Sequence, residues 1–205
     1  TIPRLRMFSL KKKVKVEEPT VDFSRPLQRA LNNPLKLRND PASIANRIDP
    51  DLRLTLSAIE SSFFVIDRIR EILTEAALLV LRAKDVEDMA GRAMLAEQYD
   101  ELRQAITDAL ETADEEARLL IGAEASPLTA TLNFHSSYTV DPVCLTISEE
   151  GLHLPPPRDA FAQTREIAET LGYLEKALEK IDRTANYYMK DAKFLITRLE
   201  KIDVI

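Results

Sequence analysis

The sequence contains few of the residues on which disulfide-linked, sheet-rich or metal-binding proteins depend. Its 205 residues include one Cys, two His, four Gly and no Trp. A lone Cys144 cannot form an intramolecular disulfide, which excludes a small secreted scaffold held by disulfides. Hydrophobic residues make up 45% of the chain and charged residues 30%, a composition typical of long helices with enough apolar side chains for a core. We therefore expect a mainly α fold.

The sequence also lacks a pattern that would support catalysis. His135, His153 and Cys144 occur in one segment, without a motif that would activate a nucleophile. No His or Cys pair has the spacing of metal ligands, and the carboxylates are spread along the expected helix surfaces. We predict that the chain is not an enzyme, holds no cofactor or metal, and has no small-molecule substrate.

Long apolar runs are absent as well. No run reaches the 18 or so residues that a membrane-spanning helix needs, so we expect no membrane span. Residues 1–20 lack the apolar stretch and the cleavage site of a signal peptide. Export, if it occurs, is expected to use a route without a cleaved leader.

Charge is distributed unevenly along the chain. Residues 1–20 contain six Lys or Arg and two Glu, whereas the other 185 residues contain 22 basic and 32 acidic groups. A basic segment can contact nucleic acid or anionic lipid, but this one has few interleaved aromatic residues and the acidic body repels polyanions. We expect a solvated arm and do not favour nucleic-acid binding. The basic residues are Arg4, Arg6, Lys11, Lys12, Lys13 and Lys15.

Proline positions divide the chain. Six prolines occur from Pro3 to Pro50 and five from Pro127 to Pro157, with none in between or afterwards. Long helices can run only in the two gaps. We predict a proline-broken basic arm over 1–48 and a helical rod domain over 49–205, with helices at about 50–84, 88–121 and 159–203 and a β segment at about 128–148.

The first gap has the pattern of an amphipathic helix. Asp49-Pro50 supplies an N-cap residue and the residue favoured at the first helical position. Apolar residues then alternate in steps of four and three, as in a coiled-coil seam, except at Arg70. A charge in a seam reaches solvent along its aliphatic stem, pairs with an acid, or fixes the register of a partner helix. The seam comprises Leu52, Leu56, Ile59, Phe63, Ile66, Leu73, Ala77 and Val80.

A second helix is expected to fold back on the first. Residues 84–88 offer a new N-cap with acids in the following turn, and Gly122 stands where a C-terminal cap is expected. Residues 129–134 and 138–147 are rich in β-formers with turn residues between them, which predicts a β-hairpin. The second seam comprises Leu95, Tyr99, Leu102, Ile106, Leu110, Ala113, Ala117 and Leu120.

The last gap carries the longest regular pattern. Apolar residues keep four-three spacing over five heptads, which favours a coiled-coil helix. A helix over 159–203 would be roughly 65 Å long, so we predict an elongated antiparallel coiled-coil helix bundle with a small β-hairpin. The seam comprises Ile167, Leu171, Leu174, Leu178, Ile181, Ala185, Tyr188, Ala192, Leu195, Leu199 and Ile202.

In this order of elements the chain resembles the core rod domain of bacterial flagellins and the related hook-associated proteins over residues 39–205. Flagellins carry heptads at both termini, whereas residues 1–39 are proline-broken, and the 122–158 interval holds no large outer domain. The matching motifs are Ile66-Asp67-Arg68-Ile69-Arg70-Glu71-Ile72, Ala96-Glu97-Gln98-Tyr99-Asp100-Glu101-Leu102, Leu119-Leu120-Ile121-Gly122, Glu150-Gly151-Leu152-His153-Leu154 and the heptads from Ile167.

The resemblance implies a secreted structural component of a flagellar filament or hook-filament junction that acts in motility. Its partners would be flagellin-like neighbours or flagellar assembly proteins, contacted by lateral helix packing. In flagellins the arginine-rich turn of the first rod helix packs against neighbouring subunits and is read by innate immune receptors. By resemblance, this role falls on Arg68, Arg70, Ile72 and Glu97.

Two aromatic pairs add candidates for a subunit interface. Phe63-Phe64 and Tyr187-Tyr188 each place one ring in a seam and one beside it, which indicates core plus flank. We therefore expect Phe64 and Tyr187 at a subunit interface.

A second hypothesis is an intracellular helical adaptor, chaperone or regulator of flagellar or other assembly. Here the acidic rod binds a partner helix and the basic arm docks elsewhere. The proline-broken arm, which replaces a polymerising helix, favours this alternative and a cytoplasmic location.

Overall fold

The computed structural model describes residues 50–133 and 135–202, without the side chains of 133 and 199–202. These residues form a mainly helical fold with one small antiparallel sheet, as predicted. The predicted basic arm, residues 1–48, lies outside them. The elements are α1 (Pro50–Asp85), α2 (Met89–Glu111), α3 (Glu115–Ile121), β1 (Leu128–Asn133), β2 (Ser136–Val140) and α4 (Thr164–Ile202).

Helix α1 begins at Pro50, as the Asp49-Pro50 pair predicts. It contacts α2, α3, α4 and β1, and its buried face is therefore wider than a single seam. Phe63 and Ala77, both in the predicted seam, are only half-buried. The additional buried residues are Thr55, Ala58, Ser62, Ile69, Ile72, Ala76, Leu79 and Ala83.

The three-residue connection after α1 reverses the chain. Asp88 caps α2, its carboxylate accepting from the Gly91 amide at 2.9 Å. The prediction of one helix over 88–121 is wrong, because α2 ends at Glu111. The Thr112 hydroxyl donates to the Asp108 carbonyl at 2.6 Å, and such local side-chain bonds compete with continuation of a helix. A new helix, α3, starts after Asp114. It has two acids in its first turn, where their negative charge interacts favourably with the helix dipole and stabilises the helix.

Gly122 follows α3 at the predicted cap position. Its backbone is extended rather than left-handed, so glycine is required there for space. A Cβ atom would lie 2.7 Å from the Arg118 carbonyl oxygen, which accepts from the Gly122 amide at 3.1 Å.

The predicted β-hairpin is present as β1 and β2, paired antiparallel from Leu128↔Val140 to Asn133↔Ser136. The extension of its second strand to residue 147 is wrong. Pro142 has no N–H and ends the ladder, and the chain then runs beside the end of α3. There Val143 and Leu145 donate to the carbonyls of Leu120 and Ile121 at 2.8 and 3.1 Å.

Helix α4 begins at Thr164 rather than at residue 159, because Ala160 and Phe161 have positive φ angles of 50° and 58°. Of its two predicted seam positions, one is buried as expected, at Ile167, Leu174, Ile181, Tyr188 and Leu195. The other is buried only in part, since Leu171, Leu178 and Ala185 are half-buried, whereas Ala192 is buried as predicted. The residues buried beside these three are Thr170, Ala177 and Thr184.

Candidate interaction surface

Arg70 of α1 and Asp182 of α4 form an ion pair between the two helices. Arg70 Nε lies 3.0 Å from Asp182 Oδ1, and the same guanidinium contacts Asp67 one turn earlier. Of the three outcomes expected for a charge in the seam, the structure shows a pair with an acid. Because α4 runs antiparallel to α1, a residue that precedes Arg70 on α1 lies level with the residue that follows Asp182 on α4 by the same number of positions.

Phe64 lies six residues before Arg70, and Tyr187 lies five residues after Asp182. The two rings are therefore at about the same height along the α1–α4 pair. Both side chains are exposed, at 66% and 57%. Tyr187 shares a heptad position with Lys180 and Phe194, which places it on the α4 flank that faces the hairpin and its following loop. The ammonium of Lys190 lies 5.9 Å from the Tyr187 ring.

The other sequence-predicted contact residues occupy three different environments. Arg68 is exposed and pairs with Glu71 at 3.2 Å. Ile72 is 3% exposed and packs in the core, so in this fold it supports α1 instead of presenting its side chain to a neighbour. Glu97 is exposed on α2. The structure does not bring these residues together into one compact patch.

The β-hairpin is fixed to α4 through Tyr138. Its hydroxyl donates to Asp191 Oδ1 at 2.7 Å, and its ring stacks on Phe194 with centroids 4.4 Å apart. The Arg198 guanidinium lies 5.1 Å from the other ring of that stack. Burial and the bond to Asp191 raise the pKa of Tyr138 to about 12. Burial likewise raises the pKa of Asp191, with a smaller upward contribution from Asp141.

Buried polar groups hold the irregular segment after the hairpin. The Tyr188 hydroxyl donates to the Leu120 carbonyl at 3.1 Å and lies 3.4 Å from the Asp141 carbonyl. The Tyr99 hydroxyl donates to the Pro155 carbonyl at 3.3 Å. Burial raises the pKa of both phenols, so they act as neutral donors. Arg103, 8% exposed, also contacts this segment.

The segment before α4 is held in a strained conformation. Two successive non-glycine residues with positive φ, Ala160 and Phe161, are costly unless surrounding contacts impose them. The Glu166 carboxylate accepts from the amides of Arg158, Asp159 and Phe161 at 2.5 to 3.0 Å. The Phe161 side chain is fully buried, with its ring centroid 5.7 Å from that of Tyr99.

This segment forms one wall of an open groove beside α2, with a volume of about 660 Å³. The α2 wall combines small apolar residues with carboxylates, and the opposite wall includes one cation. The lining residues are Ala93, Ala96, Glu97, Asp100, Glu101, Gln104, Pro157, Arg158 and Ala160. Sequence reasoning singled out only Glu97 of this set, because the wall opposite α2 depends on the loop conformation.

Large apolar side chains are exposed at the turn between α1 and α2, a feature that sequence reasoning missed. Leu78 is 57% exposed, Leu81 49%, Met89 66% and Met94 58%. Their positions outside both predicted seams were the available signal. Elsewhere Leu54 is 39% exposed.

The groups considered for catalysis have local packing contacts. Cys144 Sγ lies 3.2 Å from the Thr146 hydroxyl, and the His153 ring packs edge-on against Tyr173 at 4.9 Å. Within residues 50–133 and 135–202, no three His, Cys, Asp or Glu side chains are grouped to hold a metal ion. None of the helices in these ranges has the length and hydropathy needed to cross a bilayer.

No protein-family model matches this chain, and no curated protein matches it either. The resemblance to flagellins therefore depends on the chain's own motifs and on the order of its elements.

Proposed function

We propose that the chain is a flagellin-like structural subunit of a flagellar filament or hook-filament junction, which packs laterally against like neighbours through its helix faces. On this proposal α1, α2 and α4 form a coiled-coil core of the flagellin type, and the protein is exported to the cell surface. The immediate partners are further flagellin-like subunits or flagellar assembly proteins.

The observation that carries the proposal is the order and packing of the elements. A long helix, a reversed second helix, a two-stranded hairpin and a long closing helix follow one another as the resemblance predicts. The closing helix packs on the first, and the hairpin contacts the first helix. These contacts support a scaffold role, because α2, α3, α4 and β1 all pack against α1.

Exposed side chains on α1 and α4 support lateral contacts. Phe64 and Tyr187 are large rings with more than half of their surface exposed, and aromatic side chains of this kind are enriched in protein interfaces. Arg68 is also exposed on α1. A neighbouring helix laid against these residues would bury them without disturbing the core.

The second candidate is a helical adaptor, chaperone or regulator of assembly inside the cell. The outer face of α2 favours it, because this face is acidic and apolar at once and offers a groove to a partner of opposite charge. An adaptor would act through that face and would not enter a filament.

Immunogold electron microscopy of the source cells tests the proposal. With an antibody to this chain, we expect label on surface filaments or at the hook junction. Label confined to the cytosol would overturn the structural role and favour the adaptor.

A variant series links the result to the surface. Phe64→Ser combined with Tyr187→Ser should abolish filament label while leaving the helical circular dichroism unchanged, because both side chains are exposed. Leu78→Ser is the matched control, an exposed apolar residue elsewhere on α1, and should keep the label. Equal loss in both variants would contradict a role for Phe64 and Tyr187.

A further inference from the structure

A second regular stripe runs along the outside of α2, independent of its buried face. Its members alternate in steps of four and three, and every one is exposed. Such spacing presents one continuous line of side chains to a neighbouring helix. From first to last the stripe covers about 32 Å at 1.5 Å per residue. It consists of Ala90, Met94, Glu97, Glu101, Gln104, Asp108 and Glu111.

The stripe carries acids and no cation, because both arginines of α2 are directed elsewhere. Arg92 donates to the carbonyls of Val86 and Ala162 at 2.6 and 3.2 Å. Arg103 is buried and donates to the Leu154 carbonyl. The negative charge of the stripe is therefore not balanced within its own helix.

The stripe also borders a groove and includes an exposed apolar side chain. The groove between α2 and the 157–160 segment runs beside Glu97 and Glu101. Its far wall is fixed by the amide bonds to Glu166. Met94, 58% exposed, stands one turn before Glu97, and flexible methionine side chains adapt to the apolar face of a bound helix.

We propose that this outer face of α2 binds a basic amphipathic helix of a partner protein. Leucine-like side chains of the partner pack on Met94 and the groove, and its Lys or Arg side chains pair with Glu97 and Glu101. A second copy of α2 does not fit, since the facing acids would repel each other. The inference names the chemistry of the partner that the adaptor candidate would bind through this face, and it does not depend on the filament role of α1 and α4.

Binding of a synthetic probe to the full chain tests the proposal. The probe is a fluorescent three-heptad peptide of Leu and Lys, and its partner probe carries Glu in place of Lys. Fluorescence anisotropy at about 0.1 M salt, where exposed charges beyond about 10 Å are screened, should show saturable binding of the Lys probe only. Comparable binding of the Glu probe, or no saturation, would overturn the proposal.

Variants separate the site from general attraction to an acidic protein. Glu97→Gln combined with Glu101→Gln should raise the dissociation constant of the Lys probe about tenfold, the effect of losing two ion pairs of under about 1 kcal/mol each. Met94→Ser should raise the dissociation constant about threefold without altering the charge of the protein. Glu75→Gln with Glu175→Gln, exposed acids on α1 and α4, is the matched control and should stay within about twofold.

Equal weakening by the two double variants, or no effect of Met94→Ser, would show non-specific charge attraction and overturn the site. All of these positions are exposed, so circular dichroism should be unchanged. The outcome is independent of the immunogold experiment, because filament label reports on α1 and α4 and not on this face.

Discussion

The guanidinium of Arg103 in α2 donates to the carbonyl of Leu154 at 2.8 Å, across 51 residues of sequence. The same group contacts Asp100 one turn earlier. A buried cation thus supports an irregular segment by donating to a carbonyl group that no backbone amide of the described helices or strands pairs with.

Replacing this support should be costly. We expect Arg103→Ala to lower the free energy of unfolding by about 2 kcal/mol, because a buried carbonyl loses a charged donor. Urea unfolding followed by circular dichroism measures the change. Arg68→Ala, which removes a side chain 62% exposed, is the control and should change stability by less than about 0.5 kcal/mol. Similar losses in both variants would contradict the assigned role of Arg103.

The Arg70–Asp182 pair should contribute little to stability. Their side chains are 36% and 62% exposed, and such pairs are worth under about 1 kcal/mol. A double-mutant cycle with Arg70→Ala and Asp182→Ala should give a coupling energy of about 0.5 kcal/mol that shrinks as salt rises. A coupling of several kcal/mol, insensitive to salt, would show that the pair is shielded from water.

Two glycines should respond in opposite directions to alanine. A Cβ atom on Gly172 in α4 meets nothing within 4 Å, so Gly172→Ala should stabilise by about 0.8 kcal/mol through helix propensity. A Cβ atom on Gly151 would lie 2.0 Å from the Thr146 carbonyl oxygen, so Gly151→Ala should destabilise by about 2 kcal/mol. Thermal unfolding of both variants gives the signs, and a stabilised Gly151→Ala would contradict the tight loop.

Asp191 should make stability depend on pH in an unusual direction. Burial raises its pKa in the folded state, so ionisation costs more there than in the unfolded chain. The Asp191 carboxyl therefore has no effect on stability below the ordinary Asp pKa. It lowers the free energy of unfolding as the pH rises through the raised pKa of the folded state. Asp191→Asn keeps an oxygen to accept from Tyr138 and removes the charge.

We therefore expect Asp191→Asn to be more stable than the native chain at neutral pH, with the difference vanishing at acid pH. Chemical unfolding across that range measures it. Asp182→Asn, which weakens the pair with Arg70, is the contrasting control and should be less stable at neutral pH. A stability difference for Asp191→Asn that grows as pH falls would contradict the inference.

The starts of α1 and α2 could be predicted from the sequence because they depend on short-range chemistry. Pro50 and Asp88 act through their own φ angle and carboxylate, and no distant residue is needed. The β-hairpin could also be predicted, because the β-forming residues and the turn between them are close together in the sequence. The end of β2 was misplaced because Val143 and Leu145 have strand-like side chains, while their amides bond to the end of α3.

The faces that a helix buries could be predicted only in part. Apolar spacing favoured Leu171 and Leu178 over Thr170 and Ala177 on α4, yet the smaller residues are the buried ones. Periodicity shows which positions share a line but not which of two adjacent lines a neighbouring helix covers. The groove beside α2 could not be predicted, because its wall depends on positive φ angles at Ala160 and Phe161.

The distance in sequence between Arg70 and its partner, 112 residues, has a consequence for synthesis. A ribosome that adds about 5–20 residues per second needs between about 6 and 22 seconds to reach Asp182 in α4 after it has added Arg70. During this time α1 lacks α4, which packs on it in the complete fold, so part of its apolar face is still uncovered. The newborn chain is therefore most prone to aggregation just before its last helix emerges, and a holding chaperone would act in that interval.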